Sequence, residues 1–163
     1  MITSDFIIRE IKPEDNAHIA YVIRDVLFDF GAPKTGTAYE DKETDEMFET
    51  YQKEKSSYFV IEHDGKIIGG AGFAALDNFE GNVCELQKMY FLPIARGKGL
   101  GSKLISHCLS NAKVKGFEQC YLETMPYMKA ARVLYKKNGF VNLDKPLGDT
   151  GHFSCNVWML KDL

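Results

Sequence analysis

No stretch of this sequence approaches the roughly 20 consecutive apolar residues of a bilayer span, so no membrane partner is expected. The opening residues, MITSDFIIRE, lack a basic segment followed by an apolar core and do not read as a secretory leader. An excess of positive charge is missing too. The net charge is -3 and the basic residues are dispersed, which argues against a nucleic-acid partner, because phosphate contacts need a clustered cationic surface. None of the four cysteines, Cys84, Cys108, Cys120 and Cys155, forms a C-x-x-C pair. They are expected as reduced thiols, mostly buried, in a cytoplasmic protein. His18, His63, His107 and His152 are scattered. His152 and Cys155 are three apart in a stretch that reads as a strand, which would put them on opposite faces, so no metal site is expected. Internal repeats and a domain linker are also missing.

What remains is a chain of 163 residues with 45% hydrophobic content, the size of one domain spanning residues 1–163. A domain of that length buries about 70% of the surface its unfolded chain exposes, so it needs no disulfide or metal to fold. FIIREI, from Phe6 to Ile11, reads as a strand. Pro13 and Asp15 open a helix with Ile19, Val22, Ile23, Val26 and Leu27 at helical spacing. GAPKTGT, from Gly31 to Thr37, is a loop. Asp41 to Lys55 is expected as a second helix with a solvated acidic face. YFVIEH, Asp64-Gly65 and KIIGGAGFAAL form a hairpin, since Asp-Gly between apolar runs favours a tight turn. NVCELQKMYFL is a further strand. A helix follows from about Leu100 to Lys115, with Leu100, Leu104 and Cys108 on one stripe and Gly116 at its end. FEQCYLET is the next strand, PYMKAARVLYKKN the last helix, and GHFSCNVWMLKDL a closing strand. The order is that of an α/β fold, a mixed sheet with helices on both faces.

Between strand and helix lies FLPIARGKGLGSKLI, from Phe91 to Ile105, with Gly97, Gly99 and Gly101 interleaved with Arg96 and Lys98. The first amides of a helix lack intrahelical partners and carry the positive end of its dipole. Glycines let an anion approach that backbone. Two familiar phosphate loops do not fit. A G-x-G-x-x-G pattern would need glycine at Ser102 or Leu104, and a Walker A loop would need Ser or Thr where Gly99 stands. A loop that merely turns into a helix remains the alternative.

The spacing Arg96-x-x-Gly99-x-Gly101 resembles the pyrophosphate-binding segment of the GCN5-related N-acetyltransferases, the GNAT family. MYFLP before the loop and LYKKNGF, from Leu134 to Phe140, resemble the family's flanking motifs, and the order of elements agrees along nearly the whole chain. One departure is Met128, where many members carry Asn. The resemblance implies a single GNAT-like domain with a mostly antiparallel sheet. It implies acetyl-CoA as co-substrate, held by Arg96, Gly97, Lys98, Gly99, Gly101 and Ser102, with main-chain contacts from Met89 and Phe91. The Met89 amide would be a candidate oxyanion donor.

The implied reaction is direct attack of an amine on a thioester. An alkylammonium has a pKa of about 10.4 and must lose a proton first. For that base the sequence offers Glu85, eleven residues before Arg96. It is placed where histone-type members carry theirs, with a water chain as the alternative. Tyr135 matches the tyrosine that faces the coenzyme sulfur and would protonate the thiolate, of pKa about 8.5. Packing is its alternative role. An acyl-cysteine route is open in principle, but no cysteine sits in a nucleophile motif. The acceptor is expected to be a small-molecule amine, chosen by GAPKTGT, the second helix and KPLGDTGH (Lys145 to His152). A protein lysine or N-terminus, and a coenzyme A sensor without turnover, are the alternatives. The sequence does not fix the oligomeric state and leaves a homodimer open.

Overall fold

The computed structural model describes residues 5–163; residues 1–4, the start of the segment read as lacking a leader, lie outside the described residues. Seven strands form one sheet in the order β1-β2-β3-β4-β5-β7-β6. They are β1 (Phe6–Glu10), β2 (Ser57–His63), β3 (Lys66–Ala75), β4 (Val83–Phe91), β5 (Gln119–Thr124), β6 (Val141–Leu143) and β7 (Val157–Asp162). Helices α1 (Asn16–Asp29), α2 (Met47–Thr50), α3 (Leu100–Val114) and α4 (Lys129–Lys137) complete the fold. Every neighbouring pair is antiparallel except β4 and β5.

The apolar stripes go where their periods dictate. Ile19, Val22, Ile23, Val26 and Leu27 of α1 pack on one sheet face with Tyr58, Val60 and Met47. Leu100, Leu104, Ile105, Cys108 and Leu109 of α3 pack on the other with Phe59, Phe73, Leu86 and Leu122. The β2–β3 turn places Asp64 at φ 51 and Gly65 at φ 76, the paired positive angles of a tight hairpin. Among the described residues no helix is long and apolar enough to cross a membrane.

Tyr58 lies flat across β3. A Cβ on Gly70 would stand 2.7 Å from the Tyr58 hydroxyl, and one on Gly72 would stand 2.5 Å from Ser57 O and Tyr58 Cδ2. The two bare positions let the Tyr58 hydroxyl reach β4, where it donates to Lys88 O at 2.7 Å. That carbonyl belongs to a bulge: the β3–β4 register slips between Gly70 and Gly72, and Lys88 takes a φ of 49. Gly72→Ala should therefore destabilise the protein by about 1–3 kcal/mol through overpacking. Denaturant titration checks this, and unchanged stability would contradict the close approach.

Two expected elements are corrected. The second helix does not run from Asp41 to Lys55. A 3-10 turn at Lys42–Asp45 precedes an α2 of only four residues. Its acids repel one another at helical spacings, and Thr44 Oγ1 turns inward to donate to Ala38 O at 2.7 Å. The acids are not simply solvated: Asp45 pairs with Arg24 and Glu49 accepts from Asn16. The closing strand is also shorter than expected, because residues 144–156 form a loop and β6 takes an edge place beside β7. His152 and Cys155 thus share a turn, closed by Cys155 N donating to His152 O at 3.0 Å, and the opposite-face argument does not apply.

Candidate active site

The parallel pairing of β4 and β5 stops at Glu85↔Tyr121, although both strands continue. Beyond that point lies a cavity of about 420 Å³, walled by Leu86, Lys88 and Met89 of β4 and by Glu123 and Thr124 of β5. The volume is within the usual range for small-molecule sites. Its far end is the glycine loop and the start of α3; Tyr135 of α4 forms a side.

The loop is built as a helix entry. Gly97 and Gly99 take φ of 72 and 74, and Gly99 is the cap residue before Leu100. Nothing lies within 4 Å of a Cβ at either position. Gly101 serves packing instead, since its Cβ would stand 2.5 Å from Leu134 Cδ2. Lys103 N is the first helical amide bonded back, to Gly99 O, so the amides before it have no intrahelical acceptor. This is an anion cradle of backbone donors.

Most of the residues named from sequence come together here. Met89, Phe91, Arg96, Gly97, Gly99, Gly101, Ser102 and Tyr135 all line the cavity. Lys98 does not; it is exposed, and Lys137 of α4 supplies a lining cation instead. Arg96 folds back, donating to Phe91 O at 2.8 Å and lying over the Phe30 ring. Met128 caps α4 and lines the cavity, with Thr124 Oγ1 3.8 Å from its sulfur. Tyr135 is 6% exposed, and its hydroxyl has no hydrogen-bond partner among the described residues. Burial raises its pKa further above the ordinary phenol value, so the hydroxyl stays a donor.

Glu85 does not line the cavity. It is set behind the wall, 5% exposed, on the sheet face opposite Cys84 and Leu86. Gln87 Nε2 donates to Glu85 Oε1 at 2.7 Å, and Tyr51 donates to Gln87 Oε1 at 2.6 Å. Burial first, opposed by that hydrogen bond and aided by the nearby Glu123 carboxylate, pushes the Glu85 pKa up to about 7.

The two loops expected on the acceptor side meet each other. His152 Nε2 lies 2.6 Å from Asp41 Oδ2, and Ser154 Oγ donates to Thr35 O at 2.8 Å. The Asp41 hydrogen bond outweighs burial and raises the His152 pKa. Burial alone would raise Asp41, but His152 and Lys88 hold it below its ordinary value. Cys155 lines the cavity, and burial with the carboxylates of Glu123, Glu85 and Asp41 pushes its thiol up to about 12. A thiol held protonated is a poor nucleophile, which counts against an acyl-cysteine. Among the described residues no group of His, Cys, Asp and Glu is arranged to hold a metal ion.

Sequence reading missed Lys88, Glu123 and Lys137. Lys88 did leave a signal. Gln87-Lys88 puts two polar residues in succession in a buried strand, which breaks the period of two and marks a bulge.

Central parallel strands that part over a glycine-rich helix entry leave a cavity with free backbone donors at one end, suited to an anionic ligand. Residues 23–140 match the family model described as the Acetyltransferase (GNAT) family. The chain is 42% identical over 158 residues to the N-acetyltransferase YjgM of Escherichia coli, covering 96% of this chain and 95% of that one. A GNAT-family acetyltransferase from Staphylococcus aureus superposes with a TM-score of 0.84 at 20% identity, covering 98% of this chain and 99% of that one. A phosphinothricin acetyltransferase from Sinorhizobium meliloti, solved in complex with acetyl-CoA, gives a TM-score of 0.77 at 20% identity, covering 97% of this chain and 88% of that one. The chain belongs to the GNAT acetyltransferase family.

Proposed function

We propose that this acetyltransferase moves the acetyl group of acetyl-CoA to a primary amine of a small molecule, by direct attack in a ternary complex. The observation that carries the reading is one cavity joining the free amides of α3, the unpartnered Tyr135 hydroxyl and the wall in front of Glu85. Acetyl-CoA would supply an activated acyl group. Its pyrophosphate suits the amides of residues 99–102, with Gly97 and Gly99 leaving room and Lys137 adding charge. Glu85, with a pKa near that of the medium, takes the ammonium proton through water, because it stands behind the wall. Tyr135 donates to the leaving thiolate. The contact between the 34–41 and 152–155 segments favours a small acceptor over a polypeptide.

The test is thiol release when amines are added, in wild type and in Tyr135→Phe, across acetyl thioesters of falling thiol pKa. Wild type should release thiol only with an acceptor amine. With acetyl-CoA the variant should be slower by about 10²-fold, and the gap should close as the leaving group improves. The same rate ratio for every donor, with chemistry rate-limiting, would leave Tyr135 a packing residue.

A further inference from the structure

Among the described residues, Glu123 of β5 is the one carboxylate that lines the cavity. Glu85 stands behind the wall, and neither Asp41 nor Glu43 reaches the lining. Those two acids are also paired already. The Lys88 ammonium lies 3.6 Å from Asp41 and 3.7 Å from Glu43, and His152 lies 2.6 Å from Asp41. Glu123 has no such cation among the described residues. Its oxygens accept from two neutral hydroxyls, Tyr121 at 2.7 Å and Thr150. These orient the carboxylate without neutralising it, and its two oxygens keep lone pairs to spare.

The surroundings of Glu123 are apolar. Leu122 packs on the α3 side of the sheet, so Glu123 faces the α1 side. On that side Val26, Met125 and Met128 are buried, Cys155 packs against them, and all four line the cavity. A ligand there meets a single negative charge set in an apolar wall. The second ammonium of a diamine would find no second carboxylate in the lining. The carboxylate of an amino acid would meet Lys88 only in the company of Asp41 and Glu43.

We infer that the acceptor is a primary monoamine with an apolar body, its ammonium bound by Glu123 and its body laid on Val26, Met125, Met128 and Cys155. This rests on the proposed transfer reaction and narrows it to one substrate class. Glu123 acts in binding, and the proton still leaves through water to Glu85. A hydrogen bond between two charged groups should strengthen binding roughly 10- to 100-fold. Each methylene buried on the apolar wall should add about fourfold.

The experiment measures thiol release from acetyl-CoA with a series of linear alkylamines and phenylalkylamines. Each is set beside the diamine and the terminal amino acid of the same length. In wild type kcat/KM should rise by about fourfold per methylene until the pocket is full. The best monoamine should exceed its diamine and amino-acid counterparts by roughly 10-fold or more, because their second charge enters the apolar wall unpaired. Glu123→Gln should raise KM for that monoamine roughly 10- to 100-fold while keeping its affinity for coenzyme A, and Glu123→Asp should recover part of the loss. The wild-type series decides the matter even if neither variant folds. Diamines or amino acids turned over as well as the monoamines, or an unchanged KM in a folded Glu123→Gln, would overturn the inference and leave the transfer reaction standing. A protein that binds acetyl-CoA but releases thiol with no amine of any kind would overturn both.

Discussion

Glu85→Gln should lower turnover roughly 10²–10⁴-fold, the usual range for losing a general base, and should make the protein more stable at alkaline pH. Both effects follow from one cause. Burial raises the Glu85 pKa from 4.5 to about 7. The folded protein therefore keeps a proton that the unfolded chain gives up. The stability this contributes is full below about pH 4.5 and is lost as pH rises through about 7. The shift corresponds to a few kcal/mol, by the rule of about 1.4 kcal/mol per unit. A glutamine cannot ionise and still accepts the Gln87 hydrogen bond on its own carbonyl oxygen. The variant should thus gain on wild type in thermal stability between pH 5 and pH 8.5, while coenzyme affinity changes little. Wild-type turnover should fall on the acid side with a midpoint near pH 7. Wild-type turnover in the variant at pH 7, with a parallel stability profile, would return Glu85 to a structural role.

The parts of the fold legible in the sequence were those with local, strongly periodic signals. The stripe at Leu100, Leu104 and Cys108 became the buried face of α3, and Asp64-Gly65 became the hairpin turn. LYKKNGF became the end of α4, with Gly139 at φ 94 closing it. The failures came where tertiary contacts override local preference. Asp41 to Lys55 has helical composition, but Thr44 and Met47 are drawn into the core and the acids find partners elsewhere. The segment from Gly151 to Asn156 has strand-like residues, but His152 and Ser154 are claimed by Asp41 and Thr35, more than a hundred residues earlier. The glycine loop showed its position and left its division of labour hidden. Only the packed structure separates Gly97 and Gly99, which face open space, from Gly101, which lies against Leu134. Glu123 carried no signal at all, because its part depends on where β4 and β5 separate.

Gly99→Glu should abolish coenzyme binding without unfolding the protein. The residue is the left-handed cap of α3, with nothing within 4 Å of a Cβ there, so the fold has room for a side chain. The cost to folding is the strain of a left-handed non-glycine residue, about 1–2 kcal/mol. The cost to binding is larger. A carboxylate would sit beside the free amides of Leu100, Gly101 and Ser102, occupying the donors and repelling the pyrophosphate. Gly99→Asn, a residue that tolerates the left-handed region, adds no charge and should keep most of the affinity. The measurement is calorimetric titration of coenzyme A into wild type, Gly99→Asn and Gly99→Glu, each shown to be folded by its thermal transition. One saturable site in wild type and Gly99→Asn, weakened beyond detection in Gly99→Glu, is the expected result. Equal affinity in wild type and a folded Gly99→Glu would contradict the placement of the coenzyme at this loop.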